Sequence, residues 1–194
     1  EVRLTKGLRA RDPYPSPDGR KLIFVVNKLG KNRLAAADIS KDTSFPLREQ
    51  DITYLSGKGP YRYETPRFNP DGSMIVVGIW QPGGYQDIWI LDSGGNKIGE
   101  LMHDRAIDGG ATWSPDGRII YSSTSHLPGD CPPRPQSPPG VRYVWPLYPY
   151  DIFSANLDGS DLTKLTDNPG YDAEPVVSSD GKRIVFGSQR EGNF

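Results

Sequence analysis

Among the side chains able to do chemistry, the carboxylates have the most regular spacing. Four tetrapeptides close on Asp-Gly, at Asp18, Asp71, Asp116 and Asp180, and acidic residues stand six to eight positions ahead of them: Asp12, Glu64 beside Thr65, Asp108, and Asp172 with Glu174. Oxygen ligands gathered at one point hold a hard cation such as Ca²⁺, or receive a basic segment of a partner. The same groups also serve as acceptors for buried backbone N–H groups, and the spacing alone leaves both readings open.

Other chemistry finds little support. An activated serine needs a base within reach and usually a Gly-x-Ser-x-Gly elbow, and no serine has that surround; Gly187-Ser188-Gln189-Arg190 reads as a strand end. His103 and His126 are the only histidines, and His126 with Cys131 lacks the two further soft ligands of a zinc site. Asn156-Leu157-Asp158-Gly159 has part of a Ca²⁺-loop spacing, but Ser154 stands where the first Asp belongs and Leu165 where the bidentate Glu belongs. It reads as a turn. No catalytic residue is expected.

The elements that position these carboxylates follow from an internal repeat. Ser16-Pro17-Asp18-Gly19, Asn69-Pro70-Asp71-Gly72, Ser114-Pro115-Asp116-Gly117 and Ser178-Ser179-Asp180-Gly181 each precede an apolar, β-branched or aromatic run: Leu22 to Val26, Met74 to Val77, Ile119 to Tyr121 and Ile184 to Phe186. Asp-Gly between two strand-like segments signals a hairpin, because Gly takes positive φ and Asp bonds the turn backbone. A further strand follows in each complete unit, Arg33 to Ile39, Asp87 to Leu91 and Asp151 to Ala155, then a second turn and a last strand such as Lys97 to Leu101 or Asp161 to Leu165. Four short antiparallel strands per unit predict an all-β fold, a β-propeller whose blades stack because none can bury its faces alone. The 22 glycines and 19 prolines suit short strands between tight turns.

The segments Trp113-Ser-Pro-Asp-Gly-Arg118, Ser154 to Thr166 and Tyr171-Asp-Ala-Glu174 resemble the WD-like repeats of the periplasmic TolB family. The resemblance implies a protein-binding scaffold in a periplasmic or otherwise extracytoplasmic compartment, without a cofactor, in a ring of usually six blades. Similar blades also form the non-catalytic gating propellers of serine peptidases of prolyl-oligopeptidase or tricorn type, and structural subunits of larger assemblies. The chain is expected as a single propeller segment over residues 1–194. Residues 1–5 supply an outer strand of a preceding blade, blades span 8–56, 60–104 and 106–167, and a partial blade spans 171–194. That count predicts a fragment of a ring, with a start that looks processed or excised.

In such a meander the link from second to third strand and the link from fourth strand to the next blade emerge on one face. The acidic strand starts approach the channel mouth on that face. Residues 126–149, a Pro-rich insertion with eight prolines, join it there. Stiff extended backbone orders at little entropic cost, and Arg134, Arg142, Tyr143, Trp145 and Tyr148 are its candidate partner-binding residues. The alternative is that these aromatics fold down over the blade edge. Trp80, Trp89 and Trp113 read as packing between blades, with sugar stacking by Trp80 and Tyr85 as a lesser option.

Charge narrows the partner class. Lys and Arg total 23 against 24 for Asp and Glu, so the chain lacks the basic excess that nucleic acids or acidic membranes require. One cysteine permits no intrachain disulfide, and no run of about 18 apolar residues spans a bilayer.

Overall fold

Each Asp-Gly turn builds the same knot of hydrogen bonds. The computed structural model describes residues 4–40, 44–56, 59–101, 104–127 and 148–190. In the first turn the Ser16 hydroxyl donates to Asp18 at 2.5 Å, Asp18 accepts the Arg20 N–H at 3.0 Å, and the Gly19 N–H closes on the Ser16 carbonyl at 2.9 Å. Asn69 with Asp71, Ser114 with Asp116 and Ser178 with Asp180 build their turns likewise. Gly19, Gly72, Gly117 and Gly181 all have φ between 69° and 89°, where a Cβ is unfavourable.

These turns join strands into successive antiparallel sheets. The first contains β1 (Ala10–Pro15), β2 (Lys21–Lys28), β3 (Lys31–Asp38) and β4 (Thr53–Tyr54). The second contains β5 (Arg62–Phe68), β6 (Met74–Trp80), β7 (Gln86–Asp92) and β8 (Lys97–Glu100). The third contains β9 (Asp108–Trp113), β10 (Ile119–Ser123), β11 (Asp151–Ala155) and β12 (Thr163–Lys164). The fourth pairs β13 (Asp172–Val177) with β14 (Ile184–Ser188). Three four-stranded blades and a two-stranded sheet fit an incomplete propeller ring.

Alternation along the strands sends one apolar set to each neighbour. Ile23, Val25 and Leu34 of the first blade meet Tyr63, Phe68, Ile75, Val77 and Ile79 of the second. The second blade's other face, with Val76, Ile88 and Ile90, meets Trp113, Tyr121 and Phe153 of the third. The Trp113 indole N–H donates to the Arg67 carbonyl at 3.2 Å, tying the two blades by a polar contact as well.

The two end faces differ. Leu22, Phe24 and Val26 point away from the second blade but are buried beneath Leu47, Leu8 and Ile52 of the same blade's own connections. Thr5, expected on an outer strand of a preceding blade, bridges in parallel to Leu47. On the last sheet Val176 and Val185 are 59% and 74% exposed.

All four inner strands break register at the same point. The pairings slip between Arg11 and Tyr14, Glu64 and Arg67, Ile120 and Ser122, and Ala173 and Val176. At these bulges Asp12, Thr65, Gly110 and Glu174, each six residues before its turn Asp, have φ of 53°, 46°, 60° and 58°. A bulge with one left-handed residue redirects side chains and frees a backbone N–H from the ladder. At Thr65 and Glu174 that freed N–H reaches the preceding blade.

Candidate functional site

The bulges set where the inner carboxylates go. The Thr65 N–H donates to Asp12 Oδ2 at 3.2 Å across the first blade junction, and the Glu174 N–H donates to Ser122 Oγ at 3.0 Å across the third. Asp12 therefore accepts a backbone N–H of the neighbouring blade, one of the two roles its spacing allows. Arg11 spans Asp12 and Glu64, at 2.7 Å to each, and Glu64 also accepts the Trp80 indole N–H at 2.8 Å. Glu174 is exposed, and with Glu64 it lines a small cleft of about 70 Å³ between the inner strands.

Asp108 and Asp172 occupy the equivalent first position of β9 and β13, and both are 0% exposed. They lie within the blade junctions. Asp172 accepts the Ser188 hydroxyl and the Arg190 guanidinium, both at 2.6 Å. Burial alone raises its pKa, but Arg190 and Ser188 outweigh burial and hold the carboxyl below its ordinary range. At the preceding junction Ser123 and Ser125 stand where Ser188 and Arg190 stand in the next, so the arginine is missing. Neither Asp108 oxygen has a hydrogen-bond partner of good geometry among the described residues. Burial pushes Asp108 up to about 8; the Ser123 hydroxyl offsets this only in part, and Asp104 and Asp87 add to it. Among the described residues no group of three or more His, Cys, Asp or Glu gathers as a metal site would require.

Of the insertion's candidate residues, Arg134, Arg142, Tyr143 and Trp145 lie outside the described residues. Tyr148 is buried, edge-on to Tyr150 at 5.9 Å, and Tyr150 in turn meets Tyr171 at 5.8 Å. With Ile107, Ala173 and Trp80 these tyrosines pack the junction between the third and fourth sheets. For Tyr148 the packing role is the one observed.

Three larger clefts open on the face where the β2–β3 and β6–β7 links emerge. One of about 350 Å³ is bounded by Gly7 to Arg9, the β2–β3 hairpin, Glu49 and Tyr54. The second, about 370 Å³, is lined by Lys28, Leu29, Lys31, Arg33, Tyr61 and Tyr63. The third, about 530 Å³, takes Arg11, Asn32, Arg62, Glu64, Trp80 and Pro82. Residues 60–64 form the wall between the last two. Alternation turns Tyr61 and Tyr63 to one side and Arg62 and Glu64 to the other. Sequence reasoning placed the acidic residues on this face but missed its basic and aromatic quarter. Its signal was the unusual hairpin tip Lys28-Leu29-Gly30-Lys31.

Comparison with known proteins agrees with the repeat. The Tol-Pal system protein TolB of Anaeromyxobacter dehalogenans is 28% identical over 113 residues, 58% of this chain and 24% of that protein. TolB from Acinetobacter baumannii superposes over 95% of this chain and 39% of its own, with a TM-score of 0.69 at 18% identity. The chain is a TolB-like β-propeller segment. No family model matches it. Puromycin hydrolase also superposes on the TolB-like blades, over 90% of this chain and 24% of its own, with a TM-score of 0.63 at 15% identity. At these identities the superpositions speak to fold. The TolB-like segment spans between about a quarter and two fifths of these relatives' lengths. Its described residues include no helix long and apolar enough to cross a membrane.

Proposed function

We propose that this chain is a non-catalytic, protein-binding part of a TolB-type propeller, working in an extracytoplasmic compartment through the face that carries the β2–β3 and β6–β7 links. The observation that carries this reading is that three sizeable clefts among the described residues open on that one face, where aromatic and charged side chains line the walls together. Tyr, Trp and Arg are the residue types that dominate protein interfaces. Residues 126–149 belong to the link between β10 and β11, the counterpart in the chain of the β2–β3 and β6–β7 links. The compartment follows from the TolB resemblance, and cell fractionation checks it.

Capture experiments test the binding face. An extract of the extracytoplasmic compartment is passed over immobilised wild-type chain, the double variant Lys31→Glu with Arg62→Glu, and a form lacking residues 129–146. Loss of captured protein with the double variant supports the reading. Equal capture by all three forms overturns it.

The superposition with puromycin hydrolase favours a second reading, a propeller that gates access to a serine peptidase. Labelling of the native protein by a fluorophosphonate probe would favour that reading over the first.

A further inference from the structure

The β2–β3 hairpin closes with Leu29 and Gly30 both in the left-handed region, at φ of 53° and 78°. A two-residue loop of this kind matches the twist of its strands, and its first position favours Asn, Asp or Gly. A leucine there is strained relative to glycine, because its Cβ crowds the following carbonyl. Nothing within the described chain offsets that strain by burial, because Leu29 is 96% exposed. A strained backbone presenting an apolar side chain to water breaks two local rules at once. Such a site points to a contact made outside the chain.

The neighbours of Leu29 define the chemistry of that contact. Leu29 lines both the 350 Å³ and the 370 Å³ clefts. The second has three cations, two tyrosines and no carboxylate among its lining residues. Lys28 is paired with Glu49, and the Arg33 guanidinium lies 3.9 Å from the centre of the Tyr54 ring. Lys31 and, across the wall, Arg62 make no ion pair among the described residues. Glu64, the carboxylate beside Arg62, is already held by Arg11 and Trp80.

We infer that this corner of the loop face docks an acidic polypeptide segment carrying an apolar side chain. Its carboxylates meet Lys31, Arg33 and Arg62, and its apolar side chain covers Leu29 beside Tyr61 and Tyr63. The inference rests on the reading of this face as the binding face and adds the chemistry of the partner. A nucleic acid or sulfated glycan satisfies the cations but leaves Leu29 in water.

Fluorescence anisotropy with synthetic probes tests this. The probes are a labelled glutamate-rich peptide containing leucines, its analogue with serine for leucine, and an oligothymidylate of equal charge. Each is titrated into wild type, Leu29→Gly and Lys31→Glu at low salt. We expect the leucine peptide to bind about tenfold or more tighter than the other two probes, a difference of about 1.4 kcal/mol. Leu29→Gly should abolish that preference while raising the Tm, because it relieves the hairpin and keeps the fold. Lys31→Glu should weaken both peptides. Equal binding of serine and leucine peptides, tighter binding of the oligothymidylate, or unchanged binding by Leu29→Gly overturns the inference. Capture that depends on this face, combined with no peptide binding, overturns the partner chemistry alone and leaves the binding-face reading in place.

Discussion

Two residues at the blade junctions show how a repeat holds positions constant while changing what they do. Asp108 and Asp172 share a place in their strands, yet Asp172 has Arg190 while the position equivalent to Arg190 in Asp108's sheet is Ser125. The Asp108 pKa of about 8 lies well above the value of about 3.9 in an unfolded chain, so the folded state binds the extra proton between those limits. Its contribution to stability is fully present below about pH 4 and is lost as the pH rises toward 8, at about 1.4 kcal/mol per pH unit at the steepest. Urea denaturation across this window should show a slope that Asp108→Asn removes. Gly110 is the other diagnostic residue. Its φ is 60°, and a Cβ would stand 3.2 Å from the Glu174 Cα. Gly110→Ala should destabilise by about 1–3 kcal/mol, read from the shift of a denaturation midpoint at constant m.

Among the elements, the bulged inner strand is the unit that sets this architecture. It was partly legible. The Asp-Gly turns are set by contacts within five residues, so the sequence shows them directly. The bulges also left a trace, because Pro13, Pro66 and Pro175 follow three of the four left-handed residues, and a proline nitrogen cannot join the ladder. What could not be read was which partner each carboxylate finds. Arg11 and Glu64 are 53 residues apart, and only blade stacking brings them together. The burial of Asp108 and Tyr148 is likewise a property of neighbouring blades. The junctions themselves can be tested by exchange. Arg190→Ala leaves Asp172 buried without its cation and should cost about 1–3 kcal/mol in chemical denaturation. Ser125→Arg places a guanidinium at the equivalent point near Asp108. It should flatten the pH slope and raise stability above pH 8.

Across the whole molecule, near-neutral charge conceals a separation. Arg9, Arg11, Lys28, Lys31, Arg33 and Arg62 line clefts of the first two blades beside two carboxylates, Glu49 and Glu64, while Asp108, Asp172 and Glu174 stand on the inner strands of the later sheets. Composition shows a net charge of −1 and nothing of this division, because charges far apart in sequence share one face only once the blades stack. The separation gives the loop face a preferred orientation for a charged partner, through complementarity that steers encounter and rejects wrong partners. The opposite face has the four Asp-Gly turns, whose polar groups are largely spent on their own hydrogen bonds. Binding through the loop face is therefore the central claim, and site-directed photo-crosslinking tests it most directly. A benzophenone side chain is placed at Lys31 or Pro82 on the loop face, or at Asp71 or Asp180 on the turn face, and each variant is irradiated in extracytoplasmic extract. Crosslinked partner from Lys31 and Pro82 alone is the predicted result; crosslinking from Asp71 and Asp180 at equal or greater yield would contradict the account.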